Sequence, residues 1–457
     1  MRAFLISSTG AVCATALALP VLTLPAAAAG PPPSADLPGS TQSLPLSPLP
    51  DRLRAGSAVA AQGTAPRDVR PFSLLGVVWD DAGVALHGKV KVRTRAAGSH
   101  IWSGWQDLEA DDVAHAPDPS ARERSDRALR GSTAPLWVGA SDGVEARVLP
   151  ETDASLRSTP LPGGLRLELV DPGPTPKPAT STADAPAPPS GSLAQKAPAS
   201  ALPLDALQAS PLFATPEAAA ASAVNAGLAP LGASVIPALS KQEASEEAGV
   251  YGVAKPYVGA RPPIISRKGW GADESLREKE FAYTKSIKVA FIHHSGTGNG
   301  YTCAQAPAVL RGIYRYHVES NGWRDIGYNF AVDKCGRIYE GRAGGVVKPV
   351  LGAHTLGFNG NSMGIAVLGT YSASNPPAAA VTAIAKLTAW KLGLYGMNPK
   401  AQTALTSEGG NKFKKGTSAR LNVISGHRDG FDTDCPGARL YGKLGTVRNA
   451  SAKLQGR

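Results

Sequence analysis

The chain contains few sulfur-containing and aromatic residues, and beyond its first residues it has no long apolar run. Among its 457 residues there are four cysteines and three methionines, and aromatic residues make up 6%. No run after residue 29 approaches the roughly 20 apolar residues that a membrane-spanning helix needs. We therefore expect no integral membrane segment in the mature chain, and the sequence shows no internal repeat.

Three well-known catalytic or nucleotide-binding patterns are incomplete. His427, Arg428 and Asp429 have the letters of a kinase catalytic loop, but no glycine-rich ATP loop, strand lysine or Asp-Phe-Gly motif accompanies them. The glycines at 296–300 lack the spacing of a phosphate-binding loop. No nucleophile elbow surrounds Ser295. The sequence therefore does not support a kinase, a nucleotide-binding protein or a serine hydrolase.

The N-terminus has the composition of a secretory signal peptide. Arg2 precedes an apolar stretch that is followed by small residues, which predicts a signal peptide over residues 1–29. The alternative is a membrane anchor, which the short apolar run, broken by Pro20, does not favour. We expect a secreted protein associated with the cell wall.

Positive charge is concentrated in the second half of the chain. Residues 261–457 contain 27 Lys and Arg against 12 Asp and Glu, and the whole chain has a formal net charge of +11. A basic surface attracts polyanions, and for a secreted protein we expect a cell-wall polymer rather than nucleic acid. A basic balance that only aids solubility is the alternative.

Composition and periodicity divide the mature chain into four segments. Residues 30–65 are rich in Pro, Ser and Ala and are predicted to be disordered. Residues 66–172 show short runs of period-two alternation, which predicts a small β-sandwich-like domain. Residues 173–259 are rich in Ala and Pro and are predicted to be a flexible linker with a short helix near 218–226. Residues 260–457 alternate between strand-like and helix-like patterns, which predicts an α/β domain.

Tryptophan and cysteine lead to two further expectations. Four tryptophans of the β-rich domain are expected to be core residues, with exposure for stacking on sugar rings as the alternative; they are Trp79, Trp102, Trp105 and Trp137. In an oxidising exterior, Cys303 and Cys335 are expected to form a disulfide. Two buried thiols are the alternative.

Two histidines and a cysteine have the chemistry of a metal site. His293 ends an apolar, strand-like run, while His427 follows a second such run and precedes Cys435 by eight residues. Two imidazoles and one thiolate suit Zn²⁺, and a site with three protein ligands leaves its fourth position for water, as catalytic zinc sites do. Blue copper is disfavoured because Met363 and Met397 lie far along the chain from the His427–Cys435 loop.

The motifs around these residues resemble those of one enzyme family. FIHHSGT, GWRDIGYNF, IYEGRAGG, GAHTLGFNGNSMGIAVLG and SGHRDGFDTDCPG occur in this order, and PIISRKGWGA precedes them. Over residues 262–457 the chain resembles the type 2 zinc amidases, the family of peptidoglycan recognition proteins and T7 lysozyme. The resemblance implies a mixed central β-sheet flanked by helices, with His293, His427 and Cys435 as zinc ligands.

The resemblance also implies roles for further residues. Tyr328 matches a tyrosine that positions water or stabilises the oxyanion, and Thr433 stands where the phage enzymes have lysine. Five residues match positions that line the substrate groove: His317, Trp323, Arg342, His354 and Asn359. The implied activity is hydrolysis of the amide between N-acetylmuramic acid and L-alanine of peptidoglycan by a monomeric enzyme.

Two other functions are compatible with the sequence. One is a non-catalytic peptidoglycan-binding protein of the same fold. Members that only bind typically lack the cysteine ligand, so Cys435 favours the enzyme. The other is a cell-wall adhesin in which the β-rich domain is the functional part.

Overall fold

The structure is a computed structural model that describes residues 39–49, 61–110, 112–125, 128–151, 159–174, 215–250 and 257–457. The predicted signal peptide, residues 1–29, lies outside the described residues. Within these residues, no helix is both long and apolar enough to cross a membrane.

The first part of the described chain is an all-β domain, as predicted. Its strands are β1 Ser40–Pro45, β2 Ser47–Pro48, β3 Gln62–Trp79, β4 Gly88–Ala96, β5 Gln106–Leu108, β6 Gly131–Ser132, β7 Leu136–Pro150 and β8 Arg166–Asp171. They form an antiparallel sheet in the order β1-β8-β3-β7-β4-β5, with β2 and β6 also paired to β3. Alternation along β4 buries Val90 and Val92 in a core that includes Trp79. The period-two pattern therefore identified the strands because one face of this sheet is apolar.

Between strands β5 and β6 the chain leaves the sheet. A 3₁₀-helix spans Asp112–His115, and a one-turn helix, α1, spans Arg122–Ser125. This excursion is hydrogen-bonded to the second domain through Asp118 and Glu123.

Two segments that were predicted to be unstructured contain regular elements. Ser40–Pro45, inside the predicted disordered segment 30–65, pairs residue for residue with Arg166–Asp171. Within the predicted linker 173–259, helices α2 Pro216–Ala223 and α3 Lys241–Val250 form, and β9 Val235–Ile236 joins the second sheet. Both predictions are wrong for these described residues, because their order comes from partners more than a hundred residues away or from packing on the second domain. The short helix expected near 218–226 is confirmed as α2.

The second domain is a mixed α/β structure, as predicted. Its strands are β9, β10 Ile264–Ile265, β11 Val289–His294, β12 Phe330–Val332, β13 Ile338–Glu340, β14 Ser362–Val367, β15 Gln402–Thr406, β16 Ser418–Asn422 and β17 Ile424–Gly426. Its helices are α4 Arg267–Trp270, α5 Ala306–Arg315, α6 Ala378–Leu394, α7 His427–Gly430, α8 Ala438–Tyr441 and α9 Leu444–Gln455. A 3₁₀-turn, Cys303–Gln305, precedes α5, and a π-helical turn, Tyr316–Ser320, follows it.

The main sheet of this domain has the order β17-β11-β14-β12-β13-β10-β9, and β15 and β16 form a separate hairpin. The four strands β17, β11, β14 and β12 are parallel to one another. Helices α6 and α9 contribute Trp390 and Val447 to the core on one face, while α5 contributes Val309 and Ile313 to the core on the other. The predicted mixed sheet flanked by helices is confirmed.

The β domain is packed directly on helix α5. Leu74 and Val170 of the β domain belong to the same buried cluster as Val309 and Ile313. The hydroxyl of Tyr316 donates to the Thr133 carbonyl oxygen at 3.1 Å across the same contact. The two domains therefore share an apolar core, and they fall within one compact unit, Pro38–Arg457.

The tryptophans and cysteines partly match the expectations. Trp79 and Trp137 are core residues, whereas Trp105 is 37% exposed, so the core prediction is wrong for Trp105. The guanidinium of Arg93 lies over the rings of both Trp102 and Trp105. The predicted disulfide between Cys303 and Cys335 is present, with the two Cα atoms 6.2 Å apart.

Candidate metal centre

Two neighbouring parallel strands bring His293 and His427 together. Strand β11 pairs with β17 so that Ile292 lies opposite Gly426, and each histidine occupies the next position along its strand direction. The carboxyl ends of parallel strands meet at one edge of a sheet, where α/β proteins commonly bind ligands. The two imidazole rings lie 4.5 Å apart between centroids, and both side chains are fully buried.

A short hydrogen-bonded loop returns Cys435 to the same point. The Arg428 backbone N–H donates to the Cys435 carbonyl at 3.0 Å, which closes the eight-residue loop from Arg428 to Cys435 directly after His427. The Cys435 N–H in turn donates to the Thr433 hydroxyl at 3.2 Å. The Cys435 Sγ lies 3.8 Å from His293 Nδ1. The structure thus brings together the three residues that the sequence predicted as metal ligands.

A fourth donor, His115, comes from the β domain. Its Nε2 lies 3.9 Å from the Cys435 Sγ. Its ring centroid lies 4.5 Å from that of His427 and 5.2 Å from that of His293. One donor atom from each of the four residues lies within 4.8 Å of all the others, and all four residues are buried.

The donor set fits zinc. Tetrahedral Zn²⁺ with the usual Zn–S and Zn–N lengths holds a sulfur and a nitrogen ligand about 3.5 Å apart, close to the two Cys435 contacts. Of the two second-domain histidines, His293 faces Cys435 with its Nδ1, and His427 Nδ1 is buried with no hydrogen-bond partner among the described residues. Burial lowers the pKa of both imidazoles well below the usual value, so they are held in the neutral form that binds metal.

The second nitrogen of His427 is fixed by the β domain. His427 Nε2 lies 3.0 Å from the carbonyl oxygen of Ala114. A carbonyl only accepts hydrogen bonds, so Nε2 carries the proton and Nδ1 carries the lone pair. Metal-ligating histidines commonly donate their other N–H to such a carbonyl, which fixes tautomer and ring orientation.

The predicted helper residues lie beside this cluster. Tyr328 precedes strand β12, and its ring centroid lies 5.5 Å from that of His293 and 5.7 Å from that of His115. Thr433 is half-buried on the loop that holds Cys435. His294, the other member of the histidine pair, has its Nε2 3.0 Å from a Glu109 carboxylate oxygen of the β domain.

Two of the five predicted groove residues are bonded to the segment that follows His115. Arg342 donates from Nη1 and Nη2 to the two carboxylate oxygens of Glu123, at 2.9 and 3.1 Å. Asn359 donates from Nδ2 to an Asp118 carboxylate oxygen at 2.9 Å and to the Ala116 carbonyl at 3.1 Å. Both side chains are at least nine-tenths buried.

The other three predicted groove residues are also buried. His317 accepts a hydrogen bond from the Gly327 N–H at its Nδ1 and packs against the Trp323 ring at 4.3 Å between centroids. His354 packs edge-on against the ring of His293 at 5.4 Å. The structure therefore places His354 behind a metal donor.

The space beside the cluster is small. A cavity of about 190 Å³ borders the donors His115 and Cys435 and is also lined by Glu109, His294 and Thr433. Pockets that bind small molecules usually measure about 300–1,000 Å³.

Sequence reasoning missed His115, Asp118 and Glu123. They occur in a loop, ADDVAHAPDPSARE, that has no strand or helix periodicity and belongs to the β domain. The resemblance covers only residues 262–457, so no motif extends to this loop. The one available signal is compositional: His115 is one of only eight histidines in the chain.

Comparison with known families gives one match for each domain. The family described as Rv3811 N-terminal galactose-binding domain-like matches residues 27–187. The family described as N-acetylmuramoyl-L-alanine amidase matches residues 283–438, which include the donors His293, His427 and Cys435.

Individual relatives match the second domain. Peptidoglycan-recognition protein SC2 of Drosophila melanogaster is 30% identical over 189 residues, which cover 41% of this chain and 88% of that protein. Human N-acetylmuramoyl-L-alanine amidase is 31% identical over 201 residues, covering 43% of this chain and 30% of that protein. The solved structure of wild-type Drosophila PGRP-LB aligns with 40% of this chain and 92% of its own at 27% identity, with a TM-score of 0.32.

Proposed function

Since the chain belongs to the family of type 2 N-acetylmuramoyl-L-alanine amidases and peptidoglycan recognition proteins, we propose that it is a secreted, zinc-dependent amidase. Its substrate is the amide between N-acetylmuramic acid and L-alanine of peptidoglycan stem peptides. The observation that supports this proposal most strongly is the convergence of His293, His427 and Cys435 next to Tyr328.

In this proposal His293, His427 and Cys435 hold the zinc ion. When bound in such a site, zinc supplies Lewis acidity and a nucleophilic water at neutral pH. The buried, neutral imidazoles and the thiolate orient the ion, and the fixed tautomer of His427 leaves its Nδ1 available as a ligand. Tyr328 donates its hydroxyl hydrogen to the oxygen on which negative charge develops as the amide carbonyl is attacked. Thr433 is a polar neighbour on the same loop and carries no charge.

The groove residues bind the rest of the substrate. The Arg342 guanidinium has the planar pair of donors that recognises a carboxylate, and stem peptides carry carboxylates. The side-chain amide of Asn359 offers a donor to a peptide carbonyl. His317 and Trp323 provide an aromatic wall behind Tyr328. His354 positions His293 rather than contacting substrate.

The proposed location is extracellular, at the cell wall. The disulfide between Cys303 and Cys335 is typical of an oxidising compartment, and the basic balance of residues 261–457 suits an anionic wall. We propose that the chain acts there as a monomer.

A specific observation favours a second candidate, a peptidoglycan-binding protein without catalysis. With His115 included, the donor set has four protein ligands, which is the pattern of structural zinc sites. In such a protein the metal stabilises the fold, and the groove binds peptidoglycan without cleaving it.

Digestion of defined muropeptides tests the proposal. Purified chain loaded with zinc is incubated with a disaccharide-peptide, and new L-alanine amino termini are identified by mass spectrometry. The assay uses the unaltered chain and a His115→Ala variant, because His115 lies among the donors. Cys435→Ser in either background should abolish release while near-UV circular dichroism stays native-like.

Two outcomes would contradict catalysis. In one, release persists fully in Cys435→Ser. In the other, neither background releases peptide although each contains one zinc per chain. Muropeptide binding without release in both backgrounds would establish the second candidate.

A further inference from the structure

The covering segment, which we define as residues 114–123, belongs to the β domain and is hydrogen-bonded both to the metal centre and to the predicted groove residues. We propose that it is an autoinhibitory device: His115 serves as a fourth metal ligand that closes the open coordination position, and Asp118 and Glu123 occupy the substrate groove. The chain as folded is then a latent form of the proposed amidase. This inference rests on the proposed metal site and goes beyond the proposed function.

His115 lies at the fourth position of the proposed metal site. The three donors of the second domain would leave one corner of a tetrahedron vacant, and catalysis needs that corner. His115 Nε2 lies 3.9 Å from the Cys435 Sγ, much as His293 Nδ1 does at 3.8 Å. His115 therefore lies where a substrate carbonyl or water would have to lie.

The backbone next to His115 is hydrogen-bonded to the metal-binding domain. The Ala114 carbonyl accepts hydrogen bonds from both the Leu356 N–H at 2.9 Å and His427 Nε2 at 3.0 Å. The segment thus contacts one proposed ligand with a side chain and another with its backbone. Such double attachment holds the His115 ring in place without relying on the metal.

Asp118 is hydrogen-bonded to residues of the predicted groove. Its carboxylate accepts from the Gly357 N–H at 2.7 Å, from Asn359 Nδ2 at 2.9 Å and from the Asn359 N–H at 3.2 Å. Asp118 is 6% exposed. These donors are the groups that would otherwise bind a peptide backbone or carboxylate.

Glu123 is hydrogen-bonded to Arg342 and Arg324 of the second domain. Its carboxylate makes the two-pronged contact with Arg342 and also accepts from the Arg324 N–H at 2.9 Å. Glu123 and Arg342 have side chains that are each only 6% exposed. A carboxylate of the chain itself therefore occupies the guanidinium that the proposed function assigns to substrate.

The cavity that remains beside the metal donors is small. The remaining cavity of about 190 Å³ is smaller than the 300–1,000 Å³ of ordinary ligand pockets, and a disaccharide-peptide is larger than most such ligands. Substrate can reach Arg342 and Asn359 only after the covering segment moves away. When only a fraction of molecules is open, apparent affinity is reduced by that fraction.

Cobalt substitution tests the closure of the metal site separately from activity. The full chain, His115→Ala and the control His87→Ala, an exposed histidine of the same domain, are loaded with Co²⁺, and visible spectra are recorded with and without sodium azide. Azide needs an open coordination position. We expect azide to change the spectrum of His115→Ala only. Zinc affinity, measured by chelator competition, should fall at least about tenfold in His115→Ala, since even indirect partners of a metal site contribute that much.

A second pair of variants keeps the test decisive if His115→Ala does not fold. Glu123→Gln removes the charge that holds Arg342 without altering the ligand set, and Glu151→Gln removes an exposed carboxylate of the same domain as a matched control. We expect Glu123→Gln, but not Glu151→Gln, to bind a muropeptide at least about tenfold more tightly than the unaltered chain.

The outcomes distinguish failure of this inference from failure of the proposed function. If azide changes the spectrum of the unaltered chain as much as that of His115→Ala, or changes neither, His115 does not close the site. That result overturns the inference and leaves the proposed amidase function standing. If Glu123→Gln and Glu151→Gln bind the muropeptide with equal affinity, the proposal that Glu123 blocks the groove is overturned. If the unaltered chain and the His87→Ala control bind no Co²⁺, the metal site itself fails, and both proposals fall with it.

Discussion

The contact between the β domain and helix α5 leads to a quantitative prediction about Leu74. This side chain is fully buried in the core cluster shared by both domains, next to Gly312. Replacing a buried leucine by alanine usually costs about 3–5 kcal/mol, and the cost is high where the surroundings cannot collapse. Gly312 has no side chain with which to fill the gap. We therefore expect Leu74→Ala to lower the free energy of unfolding by about 3 kcal/mol.

The same substitution should weaken the attachment of the covering segment. Suppose that most of a loss of about 3 kcal/mol weakens the contact between the β domain and helix α5. The ratio of molecules with the covering segment detached to molecules with it in place then rises by about 100-fold, at 1.4 kcal/mol per factor of ten. Opening exposes the metal centre, so azide should change the Co²⁺ spectrum of Leu74→Ala. Stem-peptide release by the zinc-loaded protein should rise as well.

Leu167→Ala is the matched control. Leu167 is equally buried but lies in the core of the β domain alone. We expect similar destabilisation in urea unfolding but no comparable gain in azide access. The reasoning is refuted if both variants open the metal centre equally, or if Leu74→Ala costs less than about 1 kcal/mol.

Three further predictions concern the second domain. Tyr328→Phe should lower the rate of stem-peptide release at least about tenfold at unchanged zinc content in both the unaltered and His115→Ala backgrounds; loss of zinc would show that Tyr328 is structural. Burial raises the pKa of Glu340 from 4.5 to about 7. Its contribution to stability is therefore full below pH 4.5 and declines by about 3 kcal/mol as pH rises to 7, because the unfolded chain releases the proton first. Urea unfolding across this range should show the decline, and Glu340→Gln should remove it; identical pH profiles would contradict the assignment. Replacing Cys303 and Cys335 together by serine should lower the free energy of unfolding by about 3–4 kcal/mol on the chain-entropy view, measured under non-reducing conditions, and an unchanged midpoint would contradict it.

The fold and the three donors of the second domain were predictable because their signals are local. His293 is the penultimate residue of strand β11 and His427 directly follows strand β17, and adjacent parallel strands bring such positions together. The loop to Cys435 needs only eight residues and a backbone hydrogen bond. Local periodicity predicted the α/β class and the spacing suggested a metal site, while the resemblance to the type 2 zinc amidases implied the mixed sheet and the three zinc ligands.

The contribution of the β domain to the site was not predictable from the sequence. His115 and Glu123 lie in an aperiodic loop. The His427 ring that contacts His115 and the Arg342 guanidinium that binds Glu123 are more than two hundred residues away. Ser40–Pro45 was missed for a related reason: its composition is that of a linker, and only pairing with Arg166–Asp171 makes it a strand. The structure of such segments depends on contacts with residues that are distant in the sequence, and no local sequence pattern indicates those contacts.

X-ray absorption at the zinc edge of the full, unaltered chain shows whether zinc is bound by Cys435 together with three histidines. We expect one zinc per chain, a single sulfur neighbour at about 2.3 Å and imidazole scattering from three rings, with two rings in His115→Ala. A zinc ion without a sulfur neighbour, or a chain that binds no zinc, would contradict it.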